Sequence, residues 1–176
     1  MNRDDEAKLR FREAMASLAA AVNVVTTAGP RGRCGITASA VCSVTDAPPT
    51  MLVCINRASH AHDVLQANRN VCINVLGARG QELARVFAGM TGCTMEERFA
   101  RCAWTPGEHG VPVLAEAVTS LEGTVCESKE MGSHSVLFVR IARIAHIASG
   151  AEGDSLVYFR RRFHALSHGA LTHETP

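Results

Sequence analysis

The residues best suited to binding a ligand lie in one segment, 35–59, which reads GITASAVCSVTDAPPTMLVCINRAS. Its first half is rich in small and hydroxyl side chains, among them Gly35, Thr37, Ala38 and Ser39. Small side chains let a planar ligand approach the backbone, and hydroxyl and backbone N–H groups can bind a phosphate. Small residues also occur at the tight corners of β-barrels, so a purely structural role is the alternative.

Motifs for several other chemistries are absent from the sequence. No Gly-x-Gly-x-x-Gly follows a predicted strand, which argues against a Rossmann nucleotide-binding domain. The sequence also has no Gly-x-Ser-x-Gly elbow and no His-Glu-x-x-His helix. Its seven cysteines include no Cys-x-x-Cys pair, and structural zinc sites use closely spaced ligand pairs. We therefore predict reduced thiols and no metal site.

Length and charge narrow the function classes further. A chain of 176 residues suits one domain, which we place over 1–166, followed by a disordered tail over 167–176. A net charge of +1 and a longest basic run of only three residues, Arg160–Arg162, argue against nucleic-acid binding. No apolar stretch reaches the roughly 20 residues of a membrane span, and the polar N-terminus is not a secretory signal. We expect a cytoplasmic location.

Hydrophobic periodicity predicts a mainly β chain with short helices. Helices are predicted over 5–21, 60–68 and 79–89, with one helical turn at 95–100. Ser59 is placed to cap the second helix. The predicted strands are 22–28, 33–44, 51–55, 71–76, 113–127, 134–148 and 155–160. Long strands with tight connections favour a closed antiparallel barrel.

Several longer segments carry a family resemblance. These are LRFREAMASLAAAVNVVTT (9–27), CGITASAVCSVTDAPP (34–49), VCINRAS (53–59), FAGMTGCTMEERFA (87–100), SLEG (120–123) and LVYFRRRFHAL (156–166). In these segments the chain resembles the flavin reductases of the FMN-binding split-barrel class. Within that class it is similar to the short-chain reductases of two-component monooxygenases. The resemblance implies an antiparallel split β-barrel.

The resemblance also implies a flavin site. Its expected members are Thr37, Ala38, Ser39, Cys54, Ile55, Asn56, Arg57, Ser59, Ala84 and Phe87. Residues 37–39 would line the isoalloxazine and ribityl chain, and residues 54–56 would offer backbone and amide contacts. Ser59 would lie by the phosphate at a helix start, in addition to capping that helix. Arg57 has the alternative of a solvated loop arginine, and Ala84 and Phe87 have the alternative of core residues.

A nicotinamide site is implied by the same comparison. It comprises Gly132, His134, Tyr158 and Arg162. Related reductases often have Gly-Asp-His where this chain has Gly132-Ser133-His134, so the carboxylate is missing here. Arg161 stands where many relatives have glycine, and Arg162 is therefore the preferred binder. The other histidines have no comparable support, and His60 and His62 are expected to face solvent.

The activity implied by the resemblance is reduction of free FMN, FAD or riboflavin by NAD(P)H, with NADH preferred to NADPH. Reduced flavin would diffuse to a separate oxygenase that hydroxylates a phenol such as 4-hydroxyphenylacetate. A homodimer is expected, with the flavin near the interface and with the N-terminal helix and the 113–148 strands as contacts. Two alternatives remain open: a non-catalytic flavin-binding barrel, and a pyridoxal-phosphate-type oxidase on a related barrel.

Overall fold

The computed structural model describes residues 3–146 and 154–167. Its helices are α1 (Arg3–Ala16), α2 (His60–Asn68), α3 (Gln81–Phe87) and α4 (Met95–Phe99). Its strands are β1 (Ala20–Ala21), β2 (Asn23–Thr27), β3 (Cys34–Ala38), β4 (Val41–Asp46), β5 (Pro49–Asn56), β6 (Asn70–Leu76), β7 (Trp104–Pro106), β8 (Pro112–Leu114), β9 (Ala117–Met131), β10 (His134–His146), β11 (Ser155–Phe159) and β12 (Arg162–Leu166). Among these residues, no helix has the length and apolar character that a bilayer crossing requires.

The main sheet has seven antiparallel strands in the order β3-β2-β6-β9-β10-β5-β4. Its two outermost strands, β3 and β4, are consecutive in the chain and are linked by only Ser39 and Ala40. The three steps from Ala38 to Val41 span at most about 11 Å, so the ends of a seven-stranded sheet can be joined in this way only if the sheet curls. We call the place where the ends of β3 and β4 meet the seam. Beside it, the backbone N–H of Cys54 donates to the carbonyl of Ala40 at 2.9 Å, which extends the β4–β5 pairing by one residue.

The architecture is the antiparallel split barrel that the resemblance implied. A small three-stranded sheet, β1-β11-β12, lies beside the barrel, and β7 pairs with β8 in a separate hairpin. The barrel interior is filled by apolar residues of β2, β5, β6 and β10, on which Val64 and Leu65 of α2 pack. A second core lies under α3 and α4, where Phe87, Phe99 and Trp104 pack with ring centroids 5.0–5.7 Å apart.

The α2 helix matches its prediction at both ends, and Ser59 caps it by accepting a hydrogen bond from the Ala61 N–H. The predicted helix over 5–21 is too long, because Ala20 and Ala21 pair with β11 instead. The predicted strand over 33–44 is two strands, since the chain crosses from one sheet edge to the other at the seam.

The chain after residue 78 departs from its predictions in several places, among them strand β7, which was not predicted. The predicted strand over 113–127 divides into β8 and a longer β9 that ends at Met131. A short 3-10 turn, Ala78–Gly80, precedes α3, so the predicted helix over 79–89 is shorter than expected. Strand β12 was not predicted at all. Residues 147 and 148 of the predicted strand over 134–148 lie outside the described residues. The predicted tail lies outside them as well, except for Ser167.

Asn74 fastens the β7–β8 hairpin to the barrel wall. Its side-chain amide donates to the Val24 carbonyl at 3.0 Å and to the Thr26 hydroxyl at 3.2 Å. Its side-chain oxygen accepts from the Leu114 N–H at 2.8 Å and from the Ser120 hydroxyl at 3.0 Å. Asn74 is fully buried, so no water can replace these partners.

Asn74→Ala should therefore destabilise the fold by about 3 kcal/mol, because it leaves several buried polar groups without a partner. Urea denaturation measures this loss. Asn70→Ala is the matched control: Asn70 is half-buried, and its side chain accepts a single bond, from the exposed Thr124. The control substitution should lower the free energy of unfolding by about 1 kcal/mol or less. Equal losses in the two variants would contradict the role given to Asn74.

Candidate functional site

A cavity of about 490 Å³ lies beside the seam, which is within the usual range for small-molecule sites. Its walls come from the end of β3, from α3 and the turn after it, and from the β11–β12 hairpin. The lining residues are Val22, Thr37, Ser39, Gln81, Arg85, Ala88, Met90, Tyr158, Arg161, Arg162 and Phe163. The cavity thus brings together four predicted site residues from two distant segments: Thr37 and Ser39 with Tyr158 and Arg162.

Thr37 and Ser39 form the wall of the cavity at the end of β3. The Thr37 hydroxyl donates to the Ala84 carbonyl of α3 at 2.7 Å, and its side chain is half-buried. Ser39 is exposed, and no protein partner for its hydroxyl occurs among the described residues. Ala38, between them, points the other way and is buried in the barrel core. This alternation follows from the period of two in a strand.

Two residues expected to contact the flavin, and one small residue of the 35–59 segment, have packing roles. Ala84 and Phe87 are fully buried in the cluster under α3, and neither side chain reaches the cavity. Gly35 is small for a packing reason, because a Cβ atom there would lie 2.6 Å from the Phe87 ring. We therefore correct the expected flavin contacts of Ala84 and Phe87: both support the site from beneath, as the core alternative had it.

Cys54 and Ile55 lie on the other side of the seam. The Cys54 N–H is already bonded to Ala40, and Ile55 is buried in the barrel core. Burial, with a smaller effect of nearby Cys42, raises the pKa of the Cys54 thiol, so that thiol stays protonated at neutral pH. The Cys54 N–H is therefore not free for a ligand. The backbone contact expected of Ile55 and the amide contact expected of Asn56 stay predictions.

Asn56 and Arg57 lie against the turn that carries the predicted nicotinamide residues. His134 is the register partner of Asn56, and the Arg57 N–H donates to the Ser133 carbonyl at 2.9 Å. The Arg57 guanidinium donates to the Gly132 carbonyl at 3.3 Å and pairs with Glu130 at 3.0 Å. Arg57 is thus held in place by the turn and is not simply solvated.

Gly132 and His134 themselves do not line the cavity. Gly132 has a positive φ of 57°, which suits glycine in a tight turn between β9 and β10. His134 is exposed, and its Nδ1 lies 2.9 Å from the Ser133 hydroxyl. The predicted nicotinamide residues therefore fall in two places: Tyr158 and Arg162 in the cavity, and Gly132 and His134 across the seam beside Asn56.

His62 is the residue that sequence reasoning placed wrongly. It is only 8% exposed, and its Nε2 lies 2.9 Å from the hydroxyl of Ser135, which is fully buried on β10. Its Nδ1 lies 2.8 Å from the Asp63 carboxylate. This Asp-His-Ser chain has the connectivity of a hydrolase triad, but no substrate can reach a serine with 0% exposure. His62 instead ties α2 to β10 directly behind the turn at 132–134.

Comparison with known proteins identifies the family of the chain. The flavin reductase like domain family matches residues 15–167. The chain belongs to the flavin reductase family.

Relatives within the family support the assignment over most of the chain. The chain is 56% identical to the 4-hydroxyphenylacetate 3-monooxygenase reductase component of Salmonella typhi, over 92% of this chain and 94% of that protein. It is 49% identical to an FMN reductase (NADH), RutF, of Pseudomonas syringae, over 90% of this chain and 86% of that protein. The NADH:FAD oxidoreductase SgcE6 of Streptomyces globisporus, solved with NAD and FAD fragments, superposes with a TM-score of 0.83 at 26% identity, covering 97% and 99% of the two chains.

A larger cavity, about 640 Å³, lies on the opposite side of α3. It is lined by residues of the 76–80 turn and the 114–117 segment, together with Arg101 and Cys102. None of the residues predicted from the resemblance lines it. We therefore take the smaller cavity, which four predicted residues share, as the candidate ligand site of this flavin reductase.

Ser39→Leu should weaken flavin binding roughly tenfold or more, because a branched side chain would fill the open side of the cavity. The melting temperature should stay nearly unchanged, since Ser39 is exposed. Flavin fluorescence quenching measures the affinity. Thr105→Leu is the matched control, since Thr105 is exposed on β7 and away from the cavity. Unchanged affinity in Ser39→Leu would place the flavin elsewhere.

Proposed function

We propose that this protein is an NADH-dependent flavin reductase whose flavin binds in the cavity beside the seam. The observation that carries the proposal is the convergence of Thr37 and Ser39 with Tyr158 and Arg162 on one cavity in a chain of this family. An FMN reductase (NADH) and an NADH:FAD oxidoreductase among the similar proteins support NADH as the electron donor and FMN or FAD as the acceptor.

The chemistry itself is supplied by the two bound substrates. Hydride passes from C4 of the nicotinamide to N5 of the flavin, and a solvent proton completes the reduced flavin. The chain's own part is to hold the two rings close and aligned, which needs no general base. In this proposal the Ser39 side of the seam contacts the flavin, the aromatic pair Tyr158 and Phe163 forms an apolar wall, and Arg162 contacts the nicotinamide nucleotide. The Tyr158 and Phe163 rings pack with centroids 5.1 Å apart, so each holds the other in place.

An open cavity suits a flavin that must leave after reduction. Its walls include several exposed side chains, and the Ser39 hydroxyl faces solvent. We propose that reduced flavin diffuses to a separate oxygenase that hydroxylates a phenol. The substrate class follows the 56% identical reductase component of 4-hydroxyphenylacetate 3-monooxygenase.

The deciding experiment follows NADH absorbance at 340 nm with FMN, FAD and riboflavin added in turn. We expect NADH consumption that depends on both the protein and added flavin, with NADPH consumed more slowly. Ser39→Leu should reduce the rate at subsaturating flavin, with Thr105→Leu as its control. Tight flavin binding without NADH consumption would contradict the proposal and favour a non-catalytic flavin-binding barrel. Tight pyridoxal phosphate binding without NADH consumption would instead favour the oxidase alternative.

We also propose that the protein is a homodimer. No residue of α1 is buried, and Phe11, on that helix, is 65% exposed. A 14-residue helix with no residue buried against the described part of the chain is marginal in water, so we expect its apolar residues to contact a further surface. Val44 on β4 and Met131 on β9 are also exposed, which leaves apolar surface on the barrel wall as well. A second copy of the chain covers such surfaces most simply, through a twofold interface.

Analytical ultracentrifugation tests the dimer. At micromolar concentration the protein should sediment as a dimer, and Phe11→Glu should shift it toward monomer. Glu13→Lys, on the opposite side of the same exposed helix, should leave the dimer intact. A fully active monomer of the unaltered protein would contradict the proposal.

A further inference from the structure

The turn of the β11–β12 hairpin has an unusual composition for its backbone. Phe159 pairs with Arg162, which leaves Arg160 and Arg161 as the two turn residues. Both have positive φ, 47° and 62°. Two-residue turns with this backbone favour Asn-Gly, because side chains other than those of glycine, asparagine and aspartate fit the left-handed region poorly. Two arginines here are strained, and strain of this kind is often retained at functional sites.

The two arginines have different surroundings. The Arg160 N–H donates to the carbonyl of Ala16 at the end of α1, at 2.7 Å. Its guanidinium lies over the Phe159 ring, 5.4 Å from the centroid, and it does not line the cavity. Arg161 lines the cavity, together with Arg162. The turn therefore presents one of its two strained arginines to the ligand site.

Three arginines and no carboxylate line this cavity. Arg85 of α3 joins Arg161 and Arg162, and the other lining residues are neutral. Within the described ranges, none of the three guanidiniums forms an ion pair. Guanidinium groups without a carboxylate partner favour a multiply charged anion, and their planar donor geometry matches a phosphate.

We propose that Arg161 determines specificity for a phosphate monoester on the ligand that occupies this cavity. The inference rests on the proposed function, because the ligand is then either a flavin or a nicotinamide nucleotide. The phosphate monoester is the 5′-phosphate of FMN or the 2′-phosphate of NADPH. Ser59, the phosphate contact implied by the resemblance, does not line this cavity.

Arg161→Gly tests the proposal, since it removes the charge and also suits the positive φ. The dissociation constant for FMN should rise roughly three- to tenfold while that for riboflavin, which lacks the phosphate, stays the same. If the phosphate at Arg161 is instead the 2′-phosphate of NADPH, the ratio of the KM for NADPH to the KM for NADH should rise by a similar factor. The melting temperature should be unchanged or higher. Weaker phosphate recognition without loss of stability is a combination that a merely structural arginine would not give.

Two further variants separate charge from strain. Arg160→Gly relieves the neighbouring positive φ without changing a residue that lines the cavity. It should therefore leave unchanged the FMN-to-riboflavin ratio of dissociation constants and the NADPH-to-NADH ratio of KM values. Arg161→Lys keeps the charge and the strained backbone, so it should retain most of the phosphate preference. A lower salt dependence of FMN or NADPH binding in Arg161→Gly than in the unaltered protein would support the proposal.

The proposal is overturned if Arg161→Gly changes neither the FMN-to-riboflavin ratio nor the NADPH-to-NADH ratio. It is also overturned if the variant weakens phosphorylated and unphosphorylated ligands equally. Flavin affinities are measured by fluorescence quenching without NADH, so they do not depend on turnover. Failure of the proposed reductase activity would appear separately, as an absence of NADH consumption in the unaltered protein.

Discussion

The structure depends on a two-residue connection. Ser39 and Ala40 join the two outermost strands of a seven-stranded sheet, so the sheet must curl until those strands meet. The hydrogen bond from the Cys54 N–H to the Ala40 carbonyl extends the β4–β5 pairing as far as this connection. Ser39, on this connection, is exposed and is therefore open to a ligand.

The rest of the site is assembled around that seam by packing and by charge. Helix α3 lies against β3 through the Thr37–Ala84 hydrogen bond and through Phe87, which packs on Gly35. The β11–β12 hairpin then forms one side of the cavity and brings Arg161 and Arg162 to it, beside Arg85 of α3. An apolar wall, open hydroxyls and a cationic edge together suit a flat ligand with a charged tail.

Local signals predicted the local structure well. The α2 helix and its Ser59 cap were predicted correctly, because capping and helical periodicity act over a few residues. The break at Ser39, the β12 strand and the His62–Ser135 bond were missed, since each depends on distant partners; His62 and Ser135 are 73 residues apart. The resemblance identified Thr37, Ser39, Tyr158 and Arg162, which share the cavity. Residue type alone could not separate these four residues from Ala84 and Phe87, which are buried in the core.

The central claim is that flavin binds beside the seam, between β3, α3 and the β11–β12 hairpin. A crystal structure of the FMN complex tests it most directly. The account predicts the isoalloxazine against Ser39 and the lining of this cavity, with the rest of the ligand extending between α3 and the hairpin. FMN bound in the larger cavity on the other side of α3, or away from Ser39 altogether, would contradict the account.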